Sequence, residues 1–204
     1  MTDTAPLGTI DVLDAALDEI KKQSSMETDG KWLEHLTVKC GPLIVEWNLE
    51  TCICWDDWKD EDRPHFLRGV GDCGIDAVGI RADNSHVAIQ TKSRKLDEQG
   101  KGADIAKLEV NKFLAAAHDE FWTEHFLVTN GDVKMASAAE AAGGESRPIK
   151  LINLVVDLVN QKNLLSGSRD GGGIFRILQM PVILGPSRHE TTCRRKPLKP
   201  VFAP

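Results

Sequence analysis

The sequence predicts an α/β fold in which helices flank a mixed β-sheet. Two apolar runs, Ile75–Ile80 and His86–Lys92, are separated by the polar tip A-D-N-S, a pattern typical of two antiparallel strands. Downstream of this hairpin, segments with helical and strand-like patterns follow in the order helix, strand, helix, strand. This alternation predicts an αβ sandwich around a mixed sheet. A chain of 204 residues is long enough to bury one sizeable core.

Two helices are predicted before the hairpin. The first can be capped by Thr9 and runs to about Lys22, with acidic residues early and lysines at its end, as the helix dipole favours. The second is short, with Asp29 as a possible cap, and Gly41-Pro42 ends it. The inward-facing positions are expected to be Ile10, Leu13, Leu17 and Ile20 in the first helix and Trp32, Leu33 and Leu36 in the second.

The segment between the second helix and the hairpin combines aromatic and acidic residues. Its three tryptophans are Trp47, Trp55 and Trp58. The pattern predicts a short helix or a strand near Leu43–Leu49 and a strand at Cys52–Trp55. The tryptophans are expected in the core rather than stacked on nucleic-acid bases, because the neighbouring run Asp56–Asp62 would repel phosphate. That run is expected to be a solvated acidic loop.

The second half of the chain continues the alternation of helices and strands. A charged loop over residues 93–103 leads to a helix that Asp104 can cap and that reaches about Ala117. The residues of this helix expected to face inward are Ile105, Leu108, Phe113 and Ala116. The later predicted elements are strand Glu124–Thr129, helix Met135–Ala142, strand Ile149–Leu154, helix Val155–Leu165, a possible strand Ile174–Leu184 and a basic, proline-rich tail.

Charge and hydropathy limit the possible classes of function. A net charge of −6 argues against binding nucleic acid through bulk charge, but it is compatible with a local basic patch. Such a patch is expected near the end of the hairpin, formed by Arg81, Lys92, Arg94, Lys95, Lys101 and Lys107. Lys112 is a further candidate to reach a phosphate backbone. No apolar run of about 18 residues predicts a membrane span, and the N-terminus lacks the pattern of a signal peptide.

The cysteines indicate a reducing compartment. There are five, an odd number, and they lack the spacing of a disulfide framework, which favours the cytoplasm. Cys52 and Cys54 lie on one face of a predicted strand and could suggest a metal site. No second cysteine pair accompanies them, however, so buried or half-buried free thiols are the preferred interpretation.

A candidate site lies at the end of the hairpin. Side chains alternate across a strand, so Gln90 and Lys92 point to one face while Thr91 points away. Asp76, at the start of the partner strand, is expected beside them. A carboxylate, an amide oxygen and an ammonium group would then converge. This set is sufficient to hold one divalent cation next to a positively charged side chain.

Several motifs together resemble the Mrr-like branch of the PD-(D/E)xK nucleases, in which glutamine often replaces the second acid. G-D-C-G-I-D at Gly71–Asp76 and I-Q-T-K at Ile89–Lys92 carry the resemblance. W-L-E-H-L, F-L-V-T-N and the alanine-rich residues 138–142 resemble the flanking motifs of the family. I-C-W-D-D-W-K-D at Ile53–Asp60 resembles the nuclease domain of single-polypeptide (Type ISP) restriction enzymes, which precedes a helicase.

The resemblance implies a restriction-endonuclease-like αβ sandwich that cleaves DNA with Mg²⁺, for which Mn²⁺ can substitute. It implies that Asp76, Gln90 and the main-chain carbonyl of Thr91 bind the metal. Glu34 would act as an outer ligand through water, and Lys92 would hold or help deprotonate the attacking water. A helicase or translocase domain and a dimer for double-strand cleavage are the implied partners. The implied organisation is an N-terminal helix at 1–24, a nuclease domain at 25–165 and an extension at 166–204.

Three functions stay open on the sequence alone. The first is a restriction or phage-defence endonuclease. The second is a catalytically silent DNA-binding or docking module of a larger helicase-containing enzyme, in which Asp76 would be a turn residue and Glu34 and Lys92 would be solvated surface residues. The third is a structure-selective DNA repair nuclease that uses the same site on junctions or flaps. Cleavage assays on linear and branched DNA separate these functions.

Overall fold

The computed structural model describes residues 8–24, 30–71, 73–135 and 148–167. Four α-helices and five strands lie in these parts of the chain. In order, they are α1 (Gly8–Gln23), α2 (Lys31–Cys40), β1 (Thr51–Cys54), β2 (Ala77–Ile80), β3 (His86–Lys92), α3 (Lys107–Ala116), β4 (Trp122–Thr129), β5 (Ile149–Asn153) and α4 (Leu154–Gly167). Short 3₁₀ turns lie between α2 and β2, on both sides of β1.

The strands form one mixed sheet in the order β1-β2-β3-β4-β5. β1, β2 and β3 pair antiparallel, whereas β3, β4 and β5 pair parallel. The parallel pairs require crossover connections, and α3 lies in the one that joins β3 to β4. The predicted α/β fold with a mixed sheet flanked by helices is therefore confirmed. It is consistent with the restriction-endonuclease-like architecture that the resemblance implied.

Each face of the sheet has its own apolar core. On one face, α1, α2 and α4 pack residues such as Leu13, Leu33 and Leu158 against Ile89 and Phe126 of the strands. On the other face, Phe113 of α3 and the tryptophans Trp55, Trp58 and Trp122 pack against Val78 and Ala88. The alternation of side chains along β3 explains the division, because neighbouring residues Ala88 and Ile89 serve opposite cores.

The predicted burial of the tryptophans is confirmed, and a buried arginine orders the loop around two of them. Trp47, Trp55 and Trp58 are at most 5% exposed. The guanidinium of Arg63 lies 4.5 Å from the Trp55 ring centroid. Arg63 donates to three main-chain carbonyls, those of Trp55 (2.8 Å), Trp58 (2.9 Å) and Val70 (3.0 Å). One side chain thus satisfies carbonyl groups of a segment that has little regular structure.

The helix predicted from Asp104 begins later than expected, and its inward-facing residues were partly wrong. α3 starts at Lys107, because Ile105 forms a parallel bridge with Met135 and its N–H donates to the carbonyl of Lys134. Val110 and Phe113 are the buried residues of α3, whereas Leu108 is 67% exposed. Tertiary pairing therefore overrides the local capping signal of Asp104.

Most of the remaining predictions agree with the structure. The first helix, the end of the second at Cys40, the hairpin strands and the last helix are confirmed within a few residues. Near Leu43–Leu49, where a short helix or a strand was predicted, the structure has two short 3₁₀ helices, Gly41–Leu43 and Val45–Trp47. Three predicted features lie outside the described residues. They are the possible cap Asp29, the helix Met135–Ala142 after its first residue, and the possible strand Ile174–Leu184. The domain boundaries near residues 25 and 165 stay predictions.

Two further expectations concern thiols and membranes. Cys40, Cys52, Cys54 and Cys73 form no disulfide bond among the described residues, and Cys193 lies outside them. Burial is the main cause that raises the pKa of Cys40 to about 11, so this thiol stays protonated at neutral pH. None of the described helices combines the length and the apolar character needed to cross a bilayer.

Candidate active site

The β2–β3 hairpin positions the candidate site at its open end. Asn84 takes a positive φ of 62° in the tip, and the Arg81 N–H donates to the Ser85 carbonyl at 3.0 Å, so the chain reverses where the sequence predicted. At the other end of the hairpin, Ala77 pairs with Ile89. The residues next to this pair, Asp76 and Gln90, are therefore brought together.

The carboxylate of Asp76 is held in one orientation by the neighbouring strand. Its Oδ2 accepts hydrogen bonds from the Thr91 N–H at 2.7 Å and from the Thr91 hydroxyl at 3.1 Å. Simple alternation predicted that the Thr91 side chain would point away from Asp76, and this expectation was wrong for its hydroxyl group. These two hydrogen bonds fix the orientation of the carboxylate of Asp76, a residue that lines the cleft described below.

Gln90 presents an amide oxygen that has no hydrogen-bond partner among the residues that the structure describes. The residue is 3% exposed, and its Oε1 is buried without a hydrogen bond from any described group. An unsatisfied buried polar atom costs free energy unless a ligand or water satisfies it. Gly74 packs close to this amide at a φ of 90°, and a Cβ there would lie 3.6 Å from Gln90 Nε2. That contact would be an ordinary van der Waals distance, so it is the positive φ, rather than lack of space, that favours glycine here.

All five residues of the predicted site line one open cleft of about 950 Å³. They are Glu34, Asp76, Gln90, Thr91 and Lys92. The cleft has three walls, formed by the first turn of α2, by the open end of the hairpin and by α3. Three acids and three bases face it, namely Glu34, Asp76 and Glu109, and Lys92, Arg94 and Lys112.

The positive charge in the cleft is less extensive than the sequence indicated. Arg81 lies at the opposite end of the hairpin, where it forms an ion pair with Glu124 at 2.6 Å, so its predicted place in the patch was wrong. Lys95, Lys101 and Lys107 do not line the cleft either. Lys92 and Lys112 do, and they remain the two lysines that can meet an anionic ligand there.

Arg94 reaches the cleft, but its side chain is bound to the protein. Its Nη2 donates to both carboxylate oxygens of Glu109, at 2.9 and 2.8 Å, and its Nε donates to the Ala103 carbonyl. Glu109 also accepts the Ala106 N–H at 3.0 Å. Burial alone would raise the pKa of Glu109, but these hydrogen bonds and the charges of Arg94 and Lys92 outweigh it and lower the pKa. Arg94 therefore fastens α3 to the end of β3.

The oxygen atoms available in the cleft suit a hard divalent cation, although few of the candidate ligands are charged. Asp76 supplies one carboxylate and Gln90 one unsatisfied oxygen, both of the oxygen type that Mg²⁺ and Mn²⁺ prefer. Within the described part of the chain, no three His, Cys, Asp or Glu side chains come together as a ligand cluster. A site that uses glutamine in place of a second acid would not contain such a cluster.

Sequence reasoning missed the residues that surround the site, above all Glu109 and Asn130. The Asn130 side chain is completely buried and bonds to the main chain of Arg94. Glu109 could have been noticed from its place three residues after Ala106, the usual position of an acid that reaches back to a helix N-terminus. Asn130 ends the F-L-V-T-N motif, but nothing local reveals its bonds to Arg94, because the two residues are 36 positions apart in the chain.

One comparison with known proteins found a match. Residues 63–163 match the family model Mrr_cat, whose description is restriction endonuclease. The matched region includes Asp76, Gln90 and Lys92 but not Glu34. It supports the Mrr-like nuclease resemblance and indicates a restriction-type nuclease, a family that implies a DNA substrate. No curated protein and no solved structure matches the chain.

Proposed function

We propose that this chain, with its Mrr-like nuclease region, is a divalent-metal-dependent DNA endonuclease of a restriction or phage-defence system. The observation that carries the proposal is the buried, unsatisfied oxygen of Gln90, a residue that lines the same cleft as Asp76 and Lys92. A metal ion explains why such an oxygen is tolerated. The family match supports the nuclease class, and the cleft supports the metal dependence.

The proposed metal ligands are Asp76, Gln90 Oε1 and the main-chain carbonyl of Thr91. Glu34 faces the same cleft and would bind the ion through a water molecule. A bound Mg²⁺ would place positive charge next to the scissile phosphate and would lower the pKa of a coordinated water molecule. The hydrogen bonds from Thr91 hold the Asp76 carboxylate in one orientation for this role.

Lys92 is the proposed partner of the reacting phosphate and of the attacking water. Its compact ammonium group, at the end of a flexible stem, can offset the charge that develops on the phosphate oxygens. It lies two residues after Gln90 on β3, and both residues line the cleft. Lys112, across the cleft on α3, is proposed to contact the DNA backbone and would add an electrostatic, sequence-independent term to binding.

A plasmid assay tests the proposal. With Mg²⁺ or Mn²⁺, the wild-type chain is expected to nick or linearise plasmid DNA, and Lys92→Ala is expected to reduce the rate about 100-fold or more, as loss of one charge-stabilising group does. Lys59→Ala serves as the matched control, because Lys59 is exposed and does not line the cleft. Equal cleavage by wild type and Lys92→Ala would show a contaminating nuclease and would refute the proposal.

Gln90→Glu is expected to tighten Mn²⁺ binding about tenfold, because a second anionic ligand neutralises more of the cation's charge. Gln90→Met keeps a similar volume without an oxygen ligand and is expected to weaken binding. Isothermal titration calorimetry without DNA measures both. Unchanged affinity in the two variants would exclude Gln90 as a ligand. The wild-type site, with its single unit of ligand charge from Asp76, is expected to bind metal weakly until DNA is present.

The proposed partners follow from the chemistry and the resemblance. A single metal site cuts one strand at a time, so we propose that two copies act together on duplex DNA. The resemblance of Ile53–Asp60 to Type ISP enzymes supports a helicase or translocase domain or subunit as a second partner. Four of the five cysteines form no disulfide bond among the described residues, which supports function in the cytoplasm.

A further inference from the structure

We infer that Asn130 is a positioning residue that holds Lys92 in place for the proposed reaction. Asn130 directly follows β4 and has no exposed surface. Its Oδ1 accepts the Arg94 N–H at 2.8 Å, and its Nδ2 donates to the Arg94 carbonyl at 2.8 Å. Nδ2 also donates to the Ser24 hydroxyl at 2.9 Å. One amide group therefore binds both main-chain groups of the residue two positions after Lys92.

This arrangement continues the sheet beyond the point where its backbone ladder stops. The parallel pairing of β3 with β4 ends at Lys92 and Thr129. Past this pair, the main chain of Arg94 has no strand partner, and the Asn130 side chain takes the place of one. Because main-chain polar groups in the interior need partners, the amide fixes the course of residues 92–94. Glu109 holds the side chain of the same Arg94, so this residue is fixed at both its main chain and its side chain.

The fixed main chain of residues 92–94 determines where the side chain of Lys92 begins. Lysine has a long, flexible stem, so the place of its ammonium group depends on a rigid main chain at its base. A catalytic group displaced by about 1 Å can lose about 100-fold in rate. Asn130 does not line the cleft, so it cannot contact DNA or metal there and acts through Arg94. The inference rests on the proposed function, in which Lys92 serves the reacting phosphate.

Thr129→Val provides a matched control for Asn130→Ala. Thr129 is the preceding residue and is equally buried, and its hydroxyl donates to the carbonyls of Gly131 and Ile152 rather than to the segment 92–94. Both changes remove buried hydrogen bonds and are expected to lower the melting temperature to a similar degree. Below both melting temperatures, Asn130→Ala is expected to lower kcat for plasmid cleavage about 10- to 100-fold. The KM for DNA and the kcat of Thr129→Val are expected to stay within about threefold of wild type.

Hydrogen exchange gives a measurement that does not depend on catalysis. In the DNA-free chain, the Arg94 N–H is expected to exchange faster in Asn130→Ala and at the wild-type rate in Thr129→Val. Asn130→Asp keeps the acceptor for this N–H and loses the donor to the Arg94 carbonyl, so it is expected to retain protection of the N–H and to show an intermediate kcat. If Asn130→Ala does not fold, the kcat of Asn130→Asp, compared with that of Thr129→Val, tests the inference in its place.

Two results would overturn the inference. One is unchanged protection of Arg94 in Asn130→Ala, and the other is an equal loss of kcat in Thr129→Val. A wild-type chain that cleaves no DNA would instead overturn the proposed function, and the exchange measurement would still decide whether Asn130 holds this segment.

Discussion

Replacing Asp76 with asparagine is expected to reduce DNA cleavage about 1,000-fold. Asparagine has nearly the same shape, and its side-chain oxygen can still accept the hydrogen bonds that Thr91 donates to Oδ2. The change therefore removes a negative charge while it preserves most of the local geometry. Because Asp76 is the proposed charged ligand, Mn²⁺ binding measured by calorimetry is expected to fall below detection together with cleavage.

A second aspartate of the same hairpin separates loss of charge at the site from loss of charge in general. Asp83 lies at the exposed tip, where its carboxylate accepts the Ser85 N–H at 2.9 Å, and it does not line the cleft. Asp83→Asn is expected to cleave and to bind metal like wild type, with an unchanged circular dichroism spectrum in both variants. If Asp76→Asn cleaved as fast as Asp83→Asn, the site would have to be placed elsewhere.

The hairpin shows how much of the site can be predicted from sequence. Its two apolar runs and its polar tip determine the pairing of β2 with β3, and this pairing brings Asp76 beside Gln90. Strand alternation also predicts that Gln90 and Lys92 share a face. Only the local detail differs, since the Thr91 hydroxyl turns toward Asp76 and adds a second donor. A site built from adjacent strands is thus accessible to pattern analysis.

The residues that support the site depend on tertiary contacts, and this is why the sequence did not reveal them. Asp104 has the local chemistry of a helix cap, but the pairing of Ile105 with Met135 delays α3 until Lys107. Arg94 had the charge expected of a phosphate contact, but Glu109 binds it. In both cases a distant partner, rather than the residue itself, determines the role.

The buried Arg63 gives the largest expected effect on stability. Arg63→Met keeps an unbranched side chain of similar length but removes every donor, which leaves the carbonyls of Trp55, Trp58 and Val70 without this partner. Each unsatisfied buried group costs about 1 to 3 kcal/mol. Two of the three bonds are fully buried, so we expect the free energy of unfolding to fall by about 3 kcal/mol. Urea unfolding followed by tryptophan fluorescence measures this change.

Arg68→Met is the matched control, because Arg68 lies in the same loop and also donates to main-chain carbonyls, but from an exposed position. Its loss is expected to change the free energy of unfolding by no more than about 0.5 kcal/mol, since water can replace its donors. Equal destabilisation by the two changes would mean that burial of the Arg63 bonds is unimportant.

The loop that Arg63 orders packs beneath β2 and leads into the glycines before Asp76. Residual folded Arg63→Met is therefore expected to bind Mn²⁺ more weakly than Arg68→Met.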